Sequence, residues 1–420
     1  MATPDPSSAT VVVERAPETE DDKNSLWSST LLVTVSEPQK EQDGTQNAYV
    51  SYLVTTESDF PSFQQRVFRV RRRFSDFVYL YNTIVRDHPA CAVPPLPDKQ
   101  RLEYLTGGRF GSEFTSRRAS SLGRFLARLA NHPILRRAQT LAIFLESTEW
   151  NAYMRSRPYR AAAVESAGVF DGFSDALLNA FTKLAKDNNE FLVPRERADK
   201  LYEDVAGTEK HFSRIVRKEA EWEHDCSELS GQILKLAALE PGMKEVFKTF
   251  ADRVAATGEA VHELRERVDT DYVVSLRDME AYVASVKALL KQREQKQLDY
   301  EGLVEYHEKA TVERNVLASG GGNGFLRSKV EDLRGVDHTL ARVERLRKLD
   351  TRLEELAAEV ATAETVTRSF DKEVARDLVD FERIKTLEVR QTLGALADDH
   401  IHFFRTVLDE WQAAIPQLED

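Results

Sequence analysis

The sequence predicts an α+β domain followed by a long all-α region. Strand-like runs rich in Val, Tyr and Thr all lie before Phe77, whereas after Pro158 the chain turns to apolar residues spaced three and four apart, with Pro194 and Pro241 the only prolines between Val169 and Ile415. Charge divides the chain in the same way. Its 420 residues include 58 Lys and Arg against 70 Asp and Glu, a net −12, yet Arg66 to Arg137 holds 15 basic residues against 5 acidic ones. A basic module attached to an acidic remainder meets an anionic surface almost independently, because charges are screened over roughly 8 Å at physiological ionic strength.

Residues 1–25 are rich in Pro, Ser, Thr and Glu, with an acidic cluster at Glu18-Thr19-Glu20-Asp21-Asp22, and predict a disordered acidic tail. Strands are expected at Leu31 to Ser36, Tyr49 to Thr56 and Gln65 to Phe74. Helical spacing follows in Phe77, Leu80, Tyr81 and Ile84, and again in Leu122, Phe125, Leu126 and Leu129. The connector, residues 151–194, carries an apolar stripe of Phe170, Phe173, Leu177, Leu178, Phe181 and Leu184. Such a stripe either packs against a core or lies in a membrane interface. Three helical tracts then run from Arg195 to Leu239, Gly242 to Leu317 and Phe325 to Ala414. At about 1.5 Å per residue the last two would span roughly 110 and 130 Å if continuous. Glu240-Pro241-Gly242 and the run Ser319-Gly320-Gly321-Gly322-Asn323-Gly324 separate them, the second reading as a hairpin tip. A seam of Leu353, Leu356, Val360, Ala363, Val366 and Phe370, then Leu378, Phe381, Ile384 and Leu387, marks one face of the third.

The chemistry gathers in three short segments: Arg71-Arg72-Arg73-Phe74-Ser75-Asp76-Phe77, Val93-Pro94-Pro95-Leu96-Pro97-Asp98-Lys99 and Phe114-Thr115-Ser116-Arg117-Arg118. Arginine offers phosphate a planar fork of donors, lysine a movable point charge, and an aromatic ring a stacking face. Together they suit a small polyanion that contains a ring. On these segments the region from Leu26 to Ser147 resembles the phox homology (PX) domain, and with three long helices behind it the chain resembles the PX-BAR sorting nexins. The resemblance implies a PX domain with a three-stranded sheet plus helices over residues 26–150, then an all-α, elongated three-helix BAR domain over residues 195–420 that forms a homodimer or a heterodimer with another sorting nexin. It implies that Arg73 pairs with the 3-phosphate of phosphatidylinositol 3-phosphate, Phe74 stacks on the inositol ring, Lys99 reaches the 1-phosphate and Arg118 holds the ring hydroxyls. It further implies that Phe170, Phe173 and Phe181 wedge into a bilayer.

Basic residues near the glycine turn are the other membrane candidates. They are Lys287, Lys291, Arg293 and Lys296 before it, Arg327 and Lys329 beside it, and Arg342, Arg345, Arg347, Lys348 and Arg352 after it. Each could equally belong to a solvated helix face. Within the family the chain is most similar to the autophagy-related sorting nexins of fungi, which implies retrieval of cargo from endosomes to the Golgi, selective autophagy, and a place on the cytosolic face of endosomes or preautophagosomal structures.

Other classes find little support. No stretch approaches the roughly 20 apolar residues of a membrane span, and the start lacks the basic and apolar regions of a secretory leader. Cys91 and Cys226 suggest no disulfide framework. Asp398 and His402 lie one helical turn apart without a third metal ligand. There is no Walker motif, nucleophile elbow, zinc spacing or nucleic-acid recognition signature, so neither an enzyme, a cofactor nor a nucleic-acid partner is expected.

Overall fold

The computed structural model describes residues 30–42, 48–60, 63–97, 111–156, 191–319 and 338–419. Three antiparallel strands, β1 (Leu31–Glu41), β2 (Tyr49–Ser58) and β3 (Val67–Arg73), form one sheet in that order. Alternation puts Val33, Val35, Val54, Phe68 and Val70 on its buried face. β1 runs past the expected end at Ser36: a register shift between Ser36 and Gln39, with Glu37 at φ 45°, accommodates Pro38 and lets pairing resume at Gln39.

Helices α1 (Phe74–Asp87), α2 (Ser112–Asn131), α3 (Gln139–Glu146) and α4 (Trp150–Ser156) close over the sheet. Their apolar faces supply Phe77, Leu80, Ile84, Leu122, Phe125, Leu126, Leu129 and Phe144 to a single core. Trp150 and Tyr153 stack at 5.5 Å against that core, so the last helix of the module crosses the boundary drawn from sequence at residue 150.

The helical region contains α5 (Leu192–Leu239), α6 (Lys244–Arg267), α7 (Val274–Ala318) and α8 (His338–Glu419). The tract expected from Gly242 to Leu317 is interrupted by a π-helical segment, Val268–Val273. Ala260, Val261, Leu264, Val268, Val273 and Phe403 form a core there, flanked by Phe212 and Val216. α5 and α6 approach closely at Gly258; a Cβ at this position would meet Cys226 Cβ at 3.0 Å.

The chain divides into two compact units, residues 1–287 with 379–420, and residues 288–378. In the second, Arg293 donates twice to Asp371, at 2.7 and 2.9 Å, and Arg342 donates to the carbonyls of Leu317 and Ala318 at 2.9 and 2.7 Å, satisfying the C-terminal end of α7. The seam of α8 differs from the apolar pattern. Val366 is 52% exposed, while Thr367, Val374 and Asp377 are buried. The buried seam is Leu356, Thr367, Phe370, Val374, Asp377, Phe381 and Ile384, and two of its positions are polar. An apolar search therefore slips by one residue at Val366 and again at Leu378.

Candidate functional site

Arg73 ends β3 and Phe74 begins α1, so the arginine-phenylalanine pair sits on a strand-to-helix corner. Asp76, one turn into the helix, accepts the Arg73 backbone N–H at 2.9 Å through one carboxylate oxygen and contacts Arg73 Nε at 3.3 Å through the other. The motif's aspartate therefore fixes both the corner and the arginine above it. The Arg73 side chain remains 47% exposed, with its guanidinium 5.9 Å from the Tyr49 ring centroid.

Arg118 approaches from the first turns of α2. Its guanidinium lies 4.7 Å from the centroid of Phe74 and 4.3 Å from that of Phe114. Burial lowers its pKa, and the neighbouring Tyr52 phenol opposes the shift. Burial also raises the Tyr52 phenol above its ordinary value, with Arg118 pulling it back. Phe74 and Arg118 are thus in contact, with Phe114 and Tyr52 beside Arg118, while Arg73 is Phe74's neighbour in the chain and lies near Tyr49. Lys99 lies outside the described residues, as do Phe170, Phe173 and Phe181.

The neighbouring arginines have other work. Arg71 donates to Ser51 Oγ at 2.9 Å and to the Glu37 carbonyl at 2.7 Å, holding the irregular end of β1. Arg72 is buried: Nε donates to the Phe144 carbonyl at 2.9 Å, Nη2 to the Ser147 carbonyl at 2.5 Å, and the guanidinium lies 5.3 and 5.5 Å from the Phe144 and Trp150 rings. Burial pushes its pKa down to about 10, against the pull of Asp76, so it is charged at neutral pH.

On α2, Arg117 pairs with Asp269, Arg124 with Asp278 at 2.7 Å, and Arg128 with both oxygens of Glu388 at 2.8 and 2.7 Å. Arg128 is 2% exposed; burial opposes its charge, but Glu388 and Asp278 outweigh that and hold its pKa above the ordinary value. The sequence reading missed this row. Its trace was the spacing 117, 124, 128 on one helical face.

Among the basic candidates near the turn, Arg293 is excluded from a surface role by burial against Asp371. Lys287 pairs with Asp199 at 2.7 Å and Lys296 sits 5.1 Å from the Phe370 ring centroid. Lys348 is exposed and pairs with Glu344 at 3.0 Å; Arg347 is exposed and Arg345 partly buried on the same helix. Asp398 and His402 are both exposed. No helix among the described residues is long and apolar enough to cross a membrane.

A three-stranded sheet with a basic and aromatic corner, joined to long helices, defines a peripheral membrane adaptor of the PX-BAR type. The PX domain family model matches residues 60–148. A protein named Sorting nexin-4 from Emericella nidulans is 49% identical over 431 residues, spanning 99% of this chain and 88% of its own length. Its namesakes from Gibberella zeae and Eremothecium gossypii are 51% identical over 408 residues (95% and 89% of the two chains) and 36% identical over 398 (90% and 96%). Among solved structures, "The cryo-EM structure of the SNX-BAR Mvp1 tetramer" superimposes with a TM-score of 0.52 at 16% identity, covering 91% of this chain and 99% of that one. The chain belongs to the sorting nexin-4 family. It is accordingly a non-enzymatic, phosphoinositide-binding protein of membrane trafficking.

Proposed function

We propose that the protein reads phosphatidylinositol 3-phosphate on endosomes and preautophagosomal membranes, and serves retrieval of cargo toward the Golgi and selective autophagy as a dimeric coat component. The carrying observation is the corner itself: Arg73 beside Phe74, with the Arg118 guanidinium 4.7 Å from the same ring. Arg73 takes the 3-phosphate, Phe74 the ring, Arg118 the hydroxyls and Lys99 the 1-phosphate. Residues 26–150 form the lipid-reading domain, residues 195–420 the BAR domain, and the connector between them adds Phe170, Phe173 and Phe181 to the bilayer.

Dimerisation is supported by apolar residues that the single chain leaves uncovered. Ile215, Trp222, Leu229 and Leu236 recur every seventh residue on α5, and Ile401, Phe404, Leu408 and Ile415 follow three-and-four spacing on α8; all eight are exposed. A second sorting-nexin chain, identical or related, covers them. Arg345, Arg347 and Lys348 then add electrostatic attraction to anionic lipid at about 1 kcal/mol per charge near the surface. The Lys348 to Glu344 pair favours a second reading, in which this helix is merely solvated and the protein tethers membranes without bending them.

Sedimentation with vesicles containing phosphatidylinositol 3-phosphate tests the lipid reading. Arg73→Ala and Arg118→Ala should each abolish binding while calorimetric melting and hydrogen exchange across β3 and α3 stay unchanged. Retained binding by a folded Arg73→Ala protein refutes the assignment. Light scattering tests the dimer, and a folded monomer at micromolar concentration would require a different chain as partner.

A further inference from the structure

One helix serves both halves of the first unit. Arg118 of α2 faces Phe74 at the candidate lipid site, while Arg117, the next residue, pairs with Asp269 of the π-helical segment. Further along α2, Arg124 meets Asp278, and Arg128 meets Glu388 through both oxygens and the Asp278 carbonyl at 2.8 Å. The Arg128 guanidinium also lies 4.9 Å from the Tyr282 ring centroid. These partners come from the π-helical segment, α7 and α8, far away in sequence, and every one of the three carboxylates answers an arginine on a single helix.

We propose that α2 is a coupling element: Arg117, Arg124 and above all Arg128 clamp the PX domain to the π-helical segment, α7 and α8 within the first unit, so that the headgroup pocket is held in one fixed orientation to those helices. This rests on the lipid-binding and dimer reading proposed above. The physical argument is geometric specificity. A fully buried, bidentate arginine contributes little net stability over an apolar contact, but any other docking would leave its charge uncompensated, which selects a single arrangement. The π-helical segment strengthens the case, since one extra residue per turn locally re-aims the side chains it carries, and Asp269 is one of them. Arg128 is thus a positioning residue, remote from the lipid atoms.

Three measurements on the whole chain test this. Glu388→Arg places two guanidinium groups together, and the exchanged pair Arg128→Glu with Glu388→Arg restores opposite charges; Asp269→Asn with Asp278→Asn is a milder variant that leaves Arg128 in place. Hydrogen exchange over residues 112–131 and 268–278 should accelerate in Glu388→Arg and return toward wild type in the exchanged pair. Calorimetric binding of soluble dibutanoyl phosphatidylinositol 3-phosphate should stay within about twofold, whereas affinity for vesicles bearing the same lipid should fall about tenfold, because the two pockets of the proposed dimer, freed to reorient, no longer engage one surface together. Accelerated exchange with unchanged vesicle affinity overturns the proposal, and so does unchanged exchange. Failure of the wild-type protein to bind the soluble lipid would refute the headgroup reading instead, while exchange would still judge the clamp.

Discussion

Replacing Arg72 by alanine should strongly destabilise the PX domain, whereas the same change one residue later should leave its stability intact and make it blind to lipid. The difference follows from where each guanidinium goes. Arg72 satisfies the buried carbonyl of Phe144 and the part-buried carbonyl of Ser147 and lies near the Phe144 and Trp150 rings. Truncation strands two acceptors at about 1–3 kcal/mol each and removes a cation–π contact of roughly 1 kcal/mol. A loss of about 4 kcal/mol is a large part of the roughly 5–15 kcal/mol that holds a domain together, and should lower its melting temperature by roughly 15 °C. The assay is calorimetry of the full chain together with hydrogen exchange across β3 and α3, since helical circular dichroism is dominated by the long helices. Arg73→Ala should melt and exchange like wild type. If Arg72→Ala also does so, yet fails to bind vesicles, Arg72 is a ligand residue and the division of labour drawn here is wrong.

Gly258→Ala should destabilise the helical region by about 1–3 kcal/mol, because its methyl group would press on Cys226, while Gly302→Ala, with open space around its Cα, should be neutral or stabilising by up to about 1 kcal/mol; thermal melts compare them. Reversing charge at Arg345, Arg347 and Lys348 should reduce vesicle tubulation and binding to acidic lipid without altering affinity for the soluble headgroup, and wild-type tubulation by the triple variant would assign these residues to a solvated face. Burial, with the nearby His132 adding to it, lowers the His88 pKa below its ordinary value. The unfolded chain therefore binds the proton first, so stability is full above about pH 6.5 and declines as pH falls through the folded-state value, a slope that His88→Gln should flatten in pH-dependent melts.

The elements visible in the sequence are those whose signal is local. β2 follows from its Val, Tyr and Thr residues, β3 from Phe68 and Val70 alternating with arginines, and the candidate lipid corner from a contiguous arginine-phenylalanine run. β1 was cut short at Ser36 because Pro38 argues against a strand interior, and only pairing partners reveal that Gln39 to Glu41 resume the ladder. The α8 seam was misread at Val366 and Leu378 because Thr367 and Asp377 occupy buried positions that an apolar search passes over. The π-helical segment Val268–Val273 has no compositional mark. Nor do the ion pairs of α2, since Asp269, Asp278 and Glu388 are acidic residues in a region full of them; topology alone selects these three.

Those pairs change what the basic segment means. Counted from sequence, Arg66 to Arg137 carries ten more positive charges than negative ones, which suggests a broadly cationic membrane face. In the fold, Arg71 and Arg72 are engaged within the PX domain, and Arg117, Arg124 and Arg128 are neutralised by carboxylates of the helical region. The excess is therefore partly structural, and Arg73 and Arg118 are among the basic residues left for the proposed lipid site. A small site of this kind recognises a headgroup more than it adheres to bulk anionic lipid, so its strength at a membrane must come from repetition. The second chain proposed to cover the exposed stripes on α5 and α8 would meet that requirement by bringing a second pocket.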